Sequence, residues 1–182
     1  MSLRDITKDL HADAERTEFA QKLLSGSISK EDYANYLYQM VLIYGPIELG
    51  NRVQGFFANL EGIERAHAIY QDFIELAGKD YKYKWTPNTI AYHNYLLELM
   101  SDPERKHLIK AHLYCRHMGD LFGGQIIAGR VPGSGKFYQF KDPDALKTAI
   151  RAELTDDLGD EARVAFQFAI DIMKDLNESS LA

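Results

Sequence analysis

Between residues 33 and 44, the side chains of Tyr33, Tyr36, Leu37, Met40, Val41 and Tyr44 recur at three- and four-residue steps. That spacing lines one face of an α-helix and does not suit a strand, whose faces alternate at every second residue. Ser29 with Asp32 supplies the start signal. The same grammar repeats along the chain. Ser2 with Asp5 opens a helix to about residue 16. Thr17 caps a segment through residue 24, which Ser25-Gly26-Ser27 ends. Further helices are expected over 62–76, 89–100, about 104–130, 143–154 and 159–176. Gly45-Pro46 predicts a break or kink. Residues 79–84 alternate Tyr and Lys, but Trp85-Thr86-Pro87 follows at once and no partner strand is evident, so they read as a loop. Pro132-Gly133-Ser134-Gly135 reads as a turn. With no repeat, low-complexity stretch or linker, residues 1–182 are expected to form one compact all-α, multi-helix domain.

Composition narrows the function classes. A formal net charge of −6, with no long basic run, argues against a nucleic-acid binder. The longest apolar runs are a few residues, as in Val41-Leu42-Ile43-Tyr44, far short of a membrane span. The start of the chain mixes charged and apolar residues and has no signal-like apolar core. Cys115 is the one cysteine, which suits a reducing compartment such as the cytoplasm.

Three constellations carry possible chemistry. Arg4, Lys8, His11 and Glu15 are separated by four, three and four residues. At about 100° per residue, the eleven steps from Arg4 to Glu15 close to within about 20°. One stripe therefore holds two cations, an imidazole and a carboxylate. It is either a solvated helix face or a grip for a flat metallocofactor with acidic arms. In the second case His11 meets the metal and Glu15 orients the imidazole through its other nitrogen.

The second constellation runs from His112 to Gln125. Gly119 and Gly123 share a face, and Gly124 adds a third glycine, each costing about 1 kcal/mol against alanine within a helix. Such a bare face admits a flat ligand, a bend or another helix. Arg116 and Asp120 are four apart, placed to pair or to hold ordered water. His112 and His117 diverge and read as structural or exposed. Cys115 reads as a packed small residue. The third constellation, Lys147 and Arg151, is four apart and either meets a second acidic arm or is solvated.

Taken together these residues resemble the heme oxygenase family over most of the chain. The run Ala111-His112-Leu113-Tyr114-Cys115-Arg116, then Gly119-Asp120-Leu121-Phe122-Gly123-Gly124-Gln125, is similar to its distal-helix signature, and the surroundings of His11 to its proximal helix. The resemblance implies a heme sandwiched between these helices. It assigns His11 as axial iron ligand, with Glu15 behind it. Arg4, Lys8, Tyr114, Lys147 and Arg151 fall at propionate-contacting positions. Gly119 and Gly123 lie over the heme face, and Arg116 and Asp120 belong to the proton-delivering water network. Glu161-Ala162-Arg163-Val164-Ala165-Phe166 is similar to the late helix that walls the pocket, through Phe166. Phe122 stands where a small hydroxyl residue is common, and Ala169 where an asparagine is expected. The segments between Gln125 and Lys147, and between Arg151 and the last helix, are shorter than in many members.

The implied activity is cleavage of heme, both cofactor and substrate, by dioxygen and external electrons. Its products are biliverdin, in the α-cutting orientation, carbon monoxide and ferrous iron. Implied partners are a ferredoxin-type donor and a downstream bilin reductase. A non-catalytic heme carrier or sensor on the same fold is the main alternative. A thiaminase-like enzyme would need an activated cysteine, for which Cys115 has no evident partner.

Overall fold

The computed structural model describes residues 2–56 and 60–180. Among them are nine α-helices and no strand: α1 (Leu3–Arg16), α2 (Glu18–Ser25), α3 (Lys30–Val53), α4 (Ala66–Ala77), α5 (Pro87–Ser101), α6 (Ile109–Leu113), α7 (Gly119–Ile127), α8 (Pro143–Glu153) and α9 (Gly159–Ser180). No described helix is long and apolar enough to cross a membrane. The caps lie where the sequence signals them. Ser2 Oγ accepts from Asp5 N while Asp5 Oδ2 accepts from Ser2 N, closing the capping box of α1. Thr17, Ser29 and Asp142 cap α2, α3 and α8. Gly26, at φ 74°, ends α2 in the left-handed conformation that glycine adopts without a Cβ clash.

The central α3 buries Tyr33, Tyr36, Leu37, Met40, Ile43, Tyr44 and Ile47 and packs against α4, α5, α6 and α9. Of the break or kink expected at Gly45-Pro46, the break does not occur, since α3 runs through Pro46. Pro46 has no N–H to give the Leu42 carbonyl one turn back. His93 Nδ1, on α5, lies 2.9 Å from that oxygen and donates in its place. A neighbouring helix thus supplies the bond that proline removes.

Two other expectations need correction. The helix expected over 62–76 begins at Ala66. Gly62 sits in a turn at φ 84°, and the Glu48 carboxylate of α3 accepts from the N–H groups of Arg65 and Ala66, fixing the start. The helix expected over about 104–130 is a series of segments: a 3-10 turn (Lys106–Leu108), α6, one π turn (Tyr114–Met118) and α7. Residues 79–84 form a loop, as expected. Tyr81 and Trp85 join Tyr38 and Phe73 in an aromatic cluster, with Trp85 stacked on Tyr38 at 5.6 Å.

The opening helix lies against the last one. Arg163 of α9 donates from Nη1 to the Ile6 carbonyl at 2.7 Å and to Asp9 Oδ1 at 2.7 Å, and from Nη2 to Asp9 Oδ2 at 2.9 Å. This two-pronged pair fixes α1 against α9 and so sets which way the His11 stripe faces.

Candidate active site

His11 sits in the third turn of α1 with its side chain 55% exposed. Its Nδ1 is 3.6 Å from Glu15 Oε1, an ion-pair distance just outside hydrogen-bond range. Its ring stands edge-on to Phe166 of α9, with centroids 5.8 Å apart. Phe166 is buried with Cys115 and Ala165, and Leu10 and Tyr114 close the cluster. This apolar plug ties α1 to the π turn that precedes α7. Burial pushes the Tyr114 phenol above its ordinary value, while contact with Thr7 and the charges of Arg4 and Arg151 pull it back. Arg4 and Arg151, far apart in sequence, are therefore both within electrostatic reach of Tyr114. Lys8 borders a shallow groove along α1 with Asp5, Asp9, Ala12, Asp13 and Arg16.

The glycines of α7 serve two purposes. A Cβ on Gly119 or Gly123 would meet no atom within 4 Å, so this face is open. Exposed Phe122 and Ile126 flank it. On the opposite side, a Cβ on Gly124 would lie 2.6 Å from Tyr138 Cδ1, so Gly124 allows close packing. The two classes separate experimentally. In the apoprotein, Gly119→Ala should gain up to about 1 kcal/mol from helix propensity. Gly124→Ala should lose about 1–3 kcal/mol from overpacking. Urea unfolding of both variants decides it, and equal effects would refute the assignment.

Beneath the open face lies a buried polar layer. Asp120, 7% exposed, accepts from the Tyr44 hydroxyl at 2.7 Å. Burial raises its pKa to about 6, against the opposing pull of His117, Tyr44, Arg116 and Arg65. Arg116 is buried beside it but does not pair with it, which removes the first of the two roles their four-residue spacing allowed and leaves the second. The π turn, with its longer hydrogen-bond reach, changes the rotation between them. Arg116 Nη1 approaches Met40 Sδ at 3.8 Å, and its guanidinium lies 5.4 Å from the Tyr92 ring. Its Nε and Nη2 are buried without a hydrogen-bond partner among the described residues.

His112 and His117 are structural, and both are fully buried. His117 Nε2 meets Glu48 Oε1 at 3.0 Å. His112 Nε2 lies 2.9 Å from Glu161 Oε1 and its Nδ1 lies 2.7 Å from the Tyr92 hydroxyl. Burial opposes ionisation of Glu161, but hydrogen bonds from His112 and Tyr95 outweigh it and hold its pKa below the ordinary value. The carboxylate therefore accepts from His112 Nε2–H. That leaves Nδ1 to accept from Tyr92. Burial lowers the His112 pKa, consistent with this neutral tautomer. For Cys115, burial lifts the thiol to about 12, so it is no ready nucleophile.

Lys147 and Arg151 lie one turn apart on α8, over the ring of Phe122, at 4.4 Å and 5.6 Å from its centroid. Sequence reasoning missed Tyr44, Tyr92 and Glu48. Tyr44 was legible only as a member of an apolar stripe.

The site thus sets a bare glycine face edged by exposed Phe122 and Ile126, and two cations over Phe122, on an all-helical scaffold whose first helix presents an exposed imidazole. The chain belongs to the heme oxygenase family, whose sequence profile matches residues 1–175. Among its relatives, heme oxygenase 1 of Rattus norvegicus is 29% identical over 205 residues, covering 96% of this chain and 70% of the relative. The structure of heme oxygenase-1 from the cyanobacterium Synechocystis, in complex with heme, superposes with a TM-score of 0.82 at 23% identity, covering 97% of this chain and 91% of that one. The heme oxygenase of Leptospira interrogans gives 0.80 at 25% identity, covering 95% and 98%. The likeness to the cyanobacterial structure establishes the fold, as expected for an all-α, single-domain chain.

Proposed function

We propose that this protein is a heme oxygenase, cleaving heme to biliverdin, carbon monoxide and ferrous iron with dioxygen and externally supplied electrons. The observation that carries the reading is the open Gly119–Gly123 face on the same helix as a buried Asp120 whose pKa is raised to about 6.

The residues fit the porphyrin. The slot has no Cβ where a flat ring must lie, and Phe122 and Ile126 offer apolar edges. Arg4, Tyr114, Lys147 and Arg151 provide donors for propionates. Two unpartnered nitrogens of buried Arg116 suit an ordered-water network. Heme iron, when bound, supplies oxygen binding and activation at the porphyrin edge.

The chain's own residues divide the remaining work. His11 would hold the heme iron, with Glu15 orienting its ring and Phe166 walling it. Gly119 and Gly123 would leave room on α7 for a small ligand beside the porphyrin. Asp120, titrating near 6 and held by Tyr44, exchanges protons with water at its free carboxylate oxygen, close to ambient pH. Arg116 holds that water and lowers the carboxylate's pKa against the burial that raises it. Lys8 completes the propionate-binding row from α1. A cytoplasmic location suits the single cysteine.

Cations at the slot rim favour an acidic electron carrier, and a ferredoxin-type donor is the proposed source. A bilin reductase is the proposed consumer of the product. The deciding experiment is aerobic turnover of the hemin complex with ferredoxin, ferredoxin reductase and NADPH, followed by chromatography of the pigment. A green bilin establishes the activity. A complex that stays brown while its reductant is consumed establishes the carrier or sensor alternative instead.

A further inference from the structure

We propose that Phe122 sets the in-plane orientation of the bound porphyrin, and hence which meso carbon is cut, by holding Lys147 and Arg151 in place. The inference rests on the heme reading above and concerns a residue to which that reading gives no role beyond an apolar edge.

Phe122 lies between Gly119 and Gly123 in sequence and borders the open face of α7. It is 48% exposed, uncommon for so large an apolar group unless a ligand or partner covers it. The ring is not idle. Lys147 Nζ stands 4.4 Å from its centroid and Arg151 Cζ 5.6 Å. Both lie within reach of the electron-rich ring face. Lys147 has one further anchor, Asp144 Oδ1 at 3.1 Å, and only 17% of its side chain is exposed. Arg151 also acts electrostatically on Tyr114, as does Arg4.

One aromatic ring thus sits at the corner between the porphyrin slot and the cation row. Long cationic side chains on an exposed helix sample many rotamers, and their charges point in no fixed direction. Gathering two of them on one ring fixes where carboxylate arms are received. The same ring, standing at the slot edge, blocks a porphyrin rotated so that its arms point elsewhere. Phe122 is therefore a positioning residue, acting through Lys147 and Arg151.

The test uses Phe122→Ser, Phe122→Leu and Phe122→Tyr, each as the full chain. The cyanide-ligated hemin complexes are compared by the pattern of heme-methyl proton resonances, and the products by bilin-isomer chromatography. Loss of an exposed cation–π contact shifts a population ratio by about twofold to fivefold. The Ser and Leu variants should therefore show a new resonance set from a rotated porphyrin and a matching second bilin isomer. Phe122→Tyr should keep the parental pattern. Leu preserves apolar bulk, so it separates the ring's attraction for cations from simple filling. A Leu variant with the parental resonances and a single isomer overturns the proposal. If the parent itself takes up no hemin, the functional reading fails first, and the two failures are distinguishable.

Discussion

His11→Ala should take up hemin and lose turnover. Most donors proposed to receive the propionates, and the open face of α7, do not involve His11, so removing it should leave affinity for the porphyrin within about tenfold. An outer partner of a metal ligand is worth about 10- to 100-fold in affinity or activity, and loss of the ligand itself should exceed that range. Bilin formation should therefore fall by more than about 100-fold. The imidazole is 55% exposed and packs on the edge of Phe166, so the apoprotein should unfold within about 0.5 kcal/mol of the parent. Free imidazole fits the space left beside Phe166 and should restore both the optical spectrum and turnover. Glu15→Gln should show a milder loss, about tenfold, because the carboxylate orients the ring without touching the metal. An alanine variant with the parental spectrum and rate would remove His11 from the site.

The sequence carried most of the fold because helix signals are local. Ser2 with Asp5, Thr17, Ser29 and Asp142 announce their helices within four residues, and the structure begins helices at each. Expectations failed where a distant group decided the outcome. Pro46 does not end α3, because His93, on another helix, takes up the orphaned carbonyl of Leu42. The start of α4 is set by Glu48, seventeen residues before Arg65. At the site, the His11 stripe and the glycine pair were legible as spacings on single helices. The partners of Asp120 were not. Tyr44 lies 76 residues away and reads as one more apolar position until its hydroxyl is seen to reach the carboxylate. The same holds for the cation row over Phe122, which joins two helices whose packing no local pattern specifies.

Asp120→Asn should make the apoprotein more stable and the enzyme nearly inactive, with the stability gain depending on pH. Folding raises the Asp120 pKa from 3.8 to about 6. Between these values the folded chain binds a proton that the unfolded chain has released, so stability falls as pH rises. Above about pH 6 the loss is complete, and at about 1.4 kcal/mol per pKa unit it reaches roughly 3 kcal/mol. Asparagine is neutral throughout and its carbonyl can still accept from Tyr44. The variant's advantage should therefore be about 3 kcal/mol at pH 8 and about half that at pH 5. Urea unfolding of the apoprotein at the two pH values reads this directly, and an equal difference at both would refute the buried-carboxylate account. Asparagine cannot exchange the proton, so bilin formation should drop by about 100-fold or more while hemin uptake is unchanged. The two effects share one origin. A carboxylate placed where water is scarce destabilises the folded chain at neutral pH, and that same placement brings its proton affinity near the working pH. Tyr44 and Arg116 moderate the first effect without abolishing the second, which is why the group remains a usable acid rather than a permanently protonated one.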